Sequence, residues 1–174
     1  MQSGTLVIDA FWISNNPFPT AQPPNTIDGK AFYHSYRGTA RYLGWMDLIL
    51  LKNIIKKQNI EHIILQNLDT LGKIAKISKY IKICDAYVYN SHIINSLSPD
   101  VKLSHCKPIY KNVEFGGWDS PDDSSQIHVR AQYYMRYLLI HTKVTSITSI
   151  TSKATITASF DMSGNVVFET ETKL

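Results

Sequence analysis

Residues 38–69 most constrain what this chain of 174 residues can fold into. The segment reads GTARYLGWMDLILLKNIIKKQNIEHIILQNLD, in which a glycine-containing loop leads to a stretch with apolar residues at helical spacing and then to a short apolar run. The spacing predicts a helix over residues 44–57, and Asp47 suits the positive N-terminal end of that helix. The continuous apolar run in residues 61–66 is typical of a strand buried on both faces of a parallel sheet. The segment therefore predicts an α/β unit.

The rest of the chain alternates in a similar way. Further strands are predicted at residues 5–11, 79–90, 106–115 and 143–151, and residues 91–98 are predicted to pair with 79–90 as a hairpin. A helix is predicted from Asp123, Ser124 or Ser125 to about His141. Residues 154–160 and 165–170 are predicted to form a second hairpin, with Gly164 or Asn165 at positive φ in its turn. Residues 14–42 are rich in proline and asparagine, which predicts a long loop.

These elements predict a three-layer α/β fold with a mixed, mostly parallel sheet and antiparallel hairpins. We expect the sheet to be mainly parallel in the Leu6 to Ile64 region and to become antiparallel through the Tyr80 to Ile109 hairpin region. The chain is interpreted as a single domain over residues 1–174, with residues 153–174 as an additional C-terminal hairpin.

Composition excludes several classes of function. The chain is 44% hydrophobic and 18% charged, which is ordinary for a globular domain, and no apolar run approaches the roughly 20 residues of a membrane span. Cys84 and Cys106 form no disulfide framework, and neither they nor the six histidines have metal-site spacing. The net charge is +4, but the lysine clusters carry no signature of nucleic-acid binding. We therefore expect a cytoplasmic protein without a membrane, metal or nucleic-acid site.

Five short motifs occur along the chain in a fixed order. They are Asn-Pro-Phe-Pro-Thr at 16–20, the Gly38 loop ending in Gly44-Trp45, Asn-Leu-Asp at 67–69, Ile-Cys-Asp-Ala-Tyr at 83–87, and Pro-Ile-Tyr at 108–110 followed by Gly117-Trp118. Over roughly residues 5–150 this order resembles the C-terminal half of the adenylosuccinate synthetase family. The resemblance implies the fold of that half and a part in joining aspartate to IMP with GTP. A related phage branch makes 2-amino-adenylosuccinate from dGMP, and a variant purine stays open.

The resemblance also implies which residues would bind ligands. An aspartate-binding loop is expected at Arg37, Gly38, Thr39 and Arg41, where Thr39 replaces a family arginine. A guanine-nucleotide site is expected at Asn67, Asp69 and Ser152, where Asn67 replaces a family lysine and Ser152 lies in a segment that has lost the family's Gly-Pro-Asp-Arg motif. Asp69 is the best-preserved ligand candidate, and the alternative is a plain helix cap or turn residue.

The family's phosphate loop, catalytic aspartate and catalytic histidine come from its N-terminal half and have no match in these 174 residues. We therefore expect no catalytic residue and no cofactor held by this chain alone, with GTP and Mg²⁺ implied only by the resemblance. One hypothesis is that the chain contributes the aspartate and guanine-nucleotide side of the ligase, completed by a separate N-terminal half. The alternative is a catalytically inactive derivative that acts as a binding, regulatory or structural assembly protein. Half a sheet exposes an edge, so we expect self-association or a partner chain.

Overall fold

A computed structural model describes residues 4–113, 124–150 and 154–172. Its strands within these ranges are β1 (Gly4–Asp9), β2 (Trp12–Ser14), β3 (Tyr42–Gly44), β4 (Met46–Asp47), β5 (Ile60–Gln66), β6 (Lys82–Tyr89), β7 (His92–Ile94), β8 (Lys107–Asn112), β9 (Ser146–Ile150), β10 (Ala154–Phe160) and β11 (Val166–Thr172). The helices are α1 (Ile27–Ser35), α2 (Leu48–Gln58), α3 (Leu68–Ser78) and α4 (Ser124–Thr142), with a short 3-10 turn at Leu103–His105.

The main sheet contains five strands in the order β1-β5-β9-β10-β11. β1, β5 and β9 are parallel neighbours, and Val7 lies opposite Ile64, which lies opposite Thr148. β10 and β11 extend the sheet as an antiparallel hairpin, with Gly164 in the turn at a φ of 82°. The predicted parallel arrangement in the Leu6 to Ile64 region is confirmed, with Leu6 opposite Ile63, and so is the predicted terminal hairpin.

The remaining strands form smaller sheets. β4 pairs with β6 in parallel, while β7 and β8 flank β6 in antiparallel pairing. β2 and β3 form a separate antiparallel pair. The mixed α/β class and the antiparallel region after Tyr80 are confirmed. The mostly parallel character holds only for β1-β5-β9 and β4-β6, because the later strands are joined by hairpins that reverse the chain direction.

Helices cover one face of the main sheet. α2 contacts both β5 and β6, so it lies between the main sheet and the β6 sheet, and α4 packs on α2, β9 and β10. Ile63, Ile147 and Ile156 point to this side and are at most 1% exposed. Within the described ranges, no helix is long and apolar enough to cross a membrane.

Three local predictions need correction. The helix predicted from residue 44 begins at Leu48, because Asp47 acts as its N-cap. The long loop predicted for residues 14–42 contains α1, whose buried residues, Gly29, Ala31, Phe32 and Ser35, include only one large apolar side chain. α3 follows β5 and was not predicted. Both missed helices are short, and they pack against each other.

Candidate functional site

The carboxyl ends of β1 and β5 meet at one edge of the main sheet. Asp9, the last residue of β1, lies opposite Gln66, the last residue of β5. The Ala10 amide donates a hydrogen bond of 2.8 Å to the Gln66 carbonyl, which holds the two departing chains together. In open α/β sheets, ligands bind beyond the carboxyl ends of the strands. This edge is therefore where a ligand site is expected.

Asn67 bridges the two strand ends. Its backbone is left-handed, with a φ of 59°, and its Nδ2 donates a hydrogen bond to Asp9 Oδ1. Burial raises the pKa of Asp9, and the hydrogen bond from Asn67 opposes that shift by stabilising the carboxylate. The sequence reasoning missed Asp9. The available signal was its place at the end of a strand parallel to β5.

Asp69 lies two residues beyond Asn67, in the first turn of α3. Its side chain is exposed, and a carboxylate at this position is stabilised by the helix dipole. The residue was predicted at the carboxyl end of a strand and is found just past it, inside the helix. The N-cap itself is Asn67, so Asp69 is not the cap residue that the alternative interpretation allowed.

The loop between α1 and β3 carries the predicted aspartate-binding residues. Arg37, Gly38, Thr39 and Arg41 are all exposed. The Arg41 guanidinium carbon lies 5.6 Å from the centroid of the Tyr42 ring, and its carbonyl accepts a hydrogen bond of 2.9 Å from the Tyr33 hydroxyl. This loop is anchored by its backbone and leaves its cationic groups open to solvent.

One aromatic contact connects that loop with the sheet edge. The rings of Tyr36 and Phe11 meet edge to face, with centroids 5.7 Å apart. Tyr36 precedes Arg37, and Phe11 follows Asp9 by two residues. The loop therefore starts near the end of β1. Ser152 lies outside the described residues, so its role stays a prediction, as does the binding role of the others.

The Gly44-Trp45 motif is part of the core. A Cβ on Gly44 would stand 2.0 Å from the Thr20 carbonyl oxygen, so this backbone approach requires glycine. The Thr20 hydroxyl donates a hydrogen bond of 2.6 Å to the Trp45 carbonyl. The Trp45 indole donates one of 3.1 Å to Asp28, which also pairs with Lys82 at 3.0 Å. The motifs at 16–20 and 44–45 thus contact each other, and this contact supports the fold.

Asp47 forms a buried polar centre behind that motif. Its Oδ1 accepts hydrogen bonds from the amides of Ile49 at 3.0 Å and Leu50 at 3.1 Å, and its Oδ2 accepts one from the Tyr87 hydroxyl. Burial raises the pKa of Asp47 to about 6, against the effect of these hydrogen bonds. Burial likewise raises the pKa of the neighbouring Cys84 to about 12, which leaves its thiol protonated and unreactive.

Across the described ranges, no group of three histidine, cysteine, aspartate or glutamate side chains could hold a metal ion.

Comparison with known proteins decides the family. The family model described as adenylosuccinate synthetase matches residues 13–156. The chain belongs to the adenylosuccinate synthetase family.

Individual relatives show how much of the family protein is present. The chain is similar to adenylosuccinate synthetase of Clostridium kluyveri, with 30% identity over 122 residues that cover 67% of this chain and 27% of the relative. It is 31% identical over 149 residues to that of Clostridium acetobutylicum, which covers 79% of this chain and 33% of the relative. The chain thus spans about a quarter to a third of the curated relatives it matches.

A solved structure shares the fold. The structure described as fully ligated adenylosuccinate synthetase from Plasmodium falciparum superposes with a TM-score of 0.61 at 19% identity, over 81% of this chain and 36% of that chain. The family resemblance predicted from the motifs is confirmed, and so is the α/β fold that it implied.

Proposed function

We propose that this chain contributes the aspartate- and guanine-nucleotide-binding side of a purine nucleotide ligase that joins IMP and aspartate with GTP. A separate polypeptide carrying the family's N-terminal half would supply the phosphate loop and the catalytic residues. The observation that carries the proposal is the contact of Asn67 with Asp9 at the carboxyl edge of the main sheet, with Asp69 in the helical turn that follows, in a chain of this family.

Asp69 is the guanine-recognising group in this proposal. Its exposed carboxylate accepts the ring N–H and the exocyclic amino group of guanine, both of which are donors. Adenine presents an acceptor at the ring position and would face the carboxylate without a hydrogen. A carboxylate left unpaired against a ligand costs about 1–3 kcal/mol, so the site discriminates between the two bases.

Asn67 and Asp9 act beside that carboxylate. Because Asn67 Nδ2 donates to Asp9 Oδ1, the amide oxygen of Asn67 is turned away from Asp9 and can accept from the base. Asp9 is therefore a positioning residue. Arg37 and Arg41 would bind the carboxylates of aspartate, since a guanidinium pairs with a carboxylate through two hydrogen bonds.

Calorimetry with the purified chain tests the proposal. We expect GTP and GDP to bind at up to millimolar concentration and ATP to bind more weakly. Asp69→Ala should weaken guanine-nucleotide binding at least about tenfold, which corresponds to about 1.4 kcal/mol, and leave thermal stability nearly unchanged. Glu61→Ala is the matched control, because Glu61 is also exposed and lies near the opposite, amino end of β5. Absence of purine-nucleotide binding at millimolar concentration would refute the proposed guanine-nucleotide site.

The exposed loop favours a second candidate, a catalytically inactive derivative with a binding, regulatory or structural role. Thr39 stands where the family has an arginine, and the Arg41 guanidinium lies over the Tyr42 ring. Under both candidates the isolated chain forms no adenylosuccinate from IMP, aspartate and GTP. Activity that appears on co-expression with the N-terminal half of a relative would select the ligase, and its absence together with retained nucleotide binding would select the derivative.

A further inference from the structure

The two faces of the main sheet have different surroundings. One face packs on α2 and α4, as described above. The register aligns a row of side chains across all five strands on the other face: Val7, Ile64, Thr148, Thr157 and Glu169. We call this second side the open face.

The open face exposes apolar side chains on parallel strands. Val7 is 53% exposed and Ile150 is 49% exposed, while Ile64 between them is only partly buried. Antiparallel sheets often leave one face to water, but parallel sheets are covered on both faces almost without exception. β1, β5 and β9 are parallel to one another, so the open face is expected to carry a further layer.

The exposed apolar surface continues around the edge of the sheet. β1 pairs only with β5 in the part of the chain that the structure describes. Beside β1 lies a shallow depression that includes Ile8, Phe11, Ile13 and Ile54 in its lining. An open edge strand beside an apolar depression offers both backbone hydrogen bonds and a contact surface to another strand.

Charge limits what can cover the open face. Its charged side chains among the described residues are Asp9, Glu169 and Glu171, and none is lysine or arginine, although the chain as a whole carries 18 of these cations. A nucleic acid would be repelled by such a surface. A second copy placed face to face would offer these glutamates a surface that carries no lysine or arginine to pair with them. A different polypeptide with basic side chains opposite Glu169 and Glu171 fits best.

We propose that the open face and the free edge of β1 form the interface for a separate polypeptide that supplies the remaining layer of the family fold. The chain accounts for 36% of the Plasmodium falciparum structure whose fold it shares, which leaves ample family sequence to form that layer. This inference rests on the proposed function, since it assigns the surface that binds the completing half. The partner is expected to carry lysine or arginine side chains where it contacts β11.

Co-expression provides the test. The probe is the part of Clostridium kluyveri adenylosuccinate synthetase that lies outside the 122-residue match, produced in the same cells as the full tagged chain. We expect the two polypeptides to purify together in equal amounts in the absence of nucleotide. Val7→Arg and the pair Glu169→Lys with Glu171→Lys should each lower the retained partner at least about tenfold. Ile93→Arg is the matched control, because Ile93 is 73% exposed on β7 in another sheet, and it should change nothing.

Circular dichroism and melting temperature establish that each variant is folded, and Thr157→Arg provides an independent variant in the middle of the face. The proposal is overturned if the wild-type chain retains no partner, or if Val7→Arg retains as much partner as the wild type. It is also overturned if light scattering shows a dimer of the chain alone that Val7→Arg dissociates, since the occupant is then a second copy. Because retention is measured without nucleotide, a complex that binds no guanine nucleotide refutes the proposed function and leaves the interface intact.

Discussion

Residues 44–47 and residues 66–69 perform the same local task, since each leads from a strand into a helix. At the first junction the N-cap is Asp47, which is fully buried and accepts two amide hydrogen bonds from the start of α2. At the second the N-cap is Asn67, which makes no side-chain capping hydrogen bond and donates to Asp9 instead. We call residues 44–47 the sealed junction, because they are buried, and residues 66–69 the open junction, because Gln66, Asn67 and Asp69 are exposed to solvent.

This difference separates scaffold from candidate site within one set of family motifs. At the sealed junction the polar side chains of Trp45 and Asp47 have partners inside the protein, so little is left there for a ligand to bind. At the open junction Asn67 donates a hydrogen bond to Asp9 near the surface, and Asp69 is exposed two residues beyond Asn67. A motif that resembles a ligand-binding family can therefore be preserved for packing at one junction and for recognition at another.

The largest expected effect comes from breaking the sealed junction at Trp45. Trp45→Ala should lower the free energy of unfolding by about 3–5 kcal/mol, because the ring is 0% exposed and packs edge to face on Phe32 at 4.8 Å between centroids. Urea unfolding measures the change. Trp45→Phe is the control, since it keeps an aromatic ring and removes the indole hydrogen bond to Asp28, and it should cost distinctly less. Equal losses for the two variants would contradict the packing role.

The second prediction concerns the pH dependence that Asp47 imposes. Its pKa is 3.8 when unfolded and about 6 when folded, so the folded state binds the proton more tightly. The associated stability is fully present below pH 3.8, falls as pH rises, and is lost above about pH 6, a change of about 3 kcal/mol. Asp47→Asn should remove this component of the pH dependence of stability, because an amide can still accept from the α2 amides and does not titrate.

Urea unfolding at several pH values from 4 to 8 checks the Asp47 prediction. Asp161→Asn at the exposed β10-β11 turn is a control that makes the same exchange of carboxylate for amide outside the buried centre. An Asp47→Asn variant with an unchanged slope would show that another group carries the titration.

Local periodicity explains why much of the fold could be predicted. β5 and α2 were placed within a few residues because their apolar residues follow the period of a strand and a helix. α1 was hidden because its buried face includes Gly29, and a Cβ there would lie 1.8 Å from the Pro23 carbonyl oxygen. Close backbone packing thus takes the place of the apolar stripe that sequence reasoning looks for.

The candidate site was only half predictable, for a different reason. Asn67 and Asp69 stand in a recognisable motif, whereas Asp9 is 58 residues from its partner Asn67 along the chain. Their contact depends on the parallel pairing of β1 with β5, and no local pattern encodes it. The motif also gave no sign that Asn67 takes a left-handed backbone, which is what turns its side chain from the helix towards Asp9.

A third, smaller effect is expected from Asn67 itself. Asn67→Gly and Asn67→Ala both remove the hydrogen bond to Asp9, but only glycine accepts a φ of 59° without strain. The alanine variant should therefore unfold about 1 kcal/mol more easily than the glycine variant. Thermal and urea unfolding of the pair measure this difference. Equal stability would mean that the backbone at the open junction relaxes out of the left-handed conformation.

The smallest expected effect on stability comes from Arg41. Arg41→Ala removes the exposed guanidinium over the Tyr42 ring, a contact worth about 0.5–1 kcal/mol at most. The hydrogen bond from Tyr33 to the Arg41 carbonyl does not involve the removed side chain. Urea unfolding should therefore detect little change, and Arg37→Ala on the same loop should behave alike. A loss above about 2 kcal/mol would mean that this loop is scaffold, as residues 44–47 are, and the contrast between sealed and open regions would no longer extend to the predicted aspartate-binding residues.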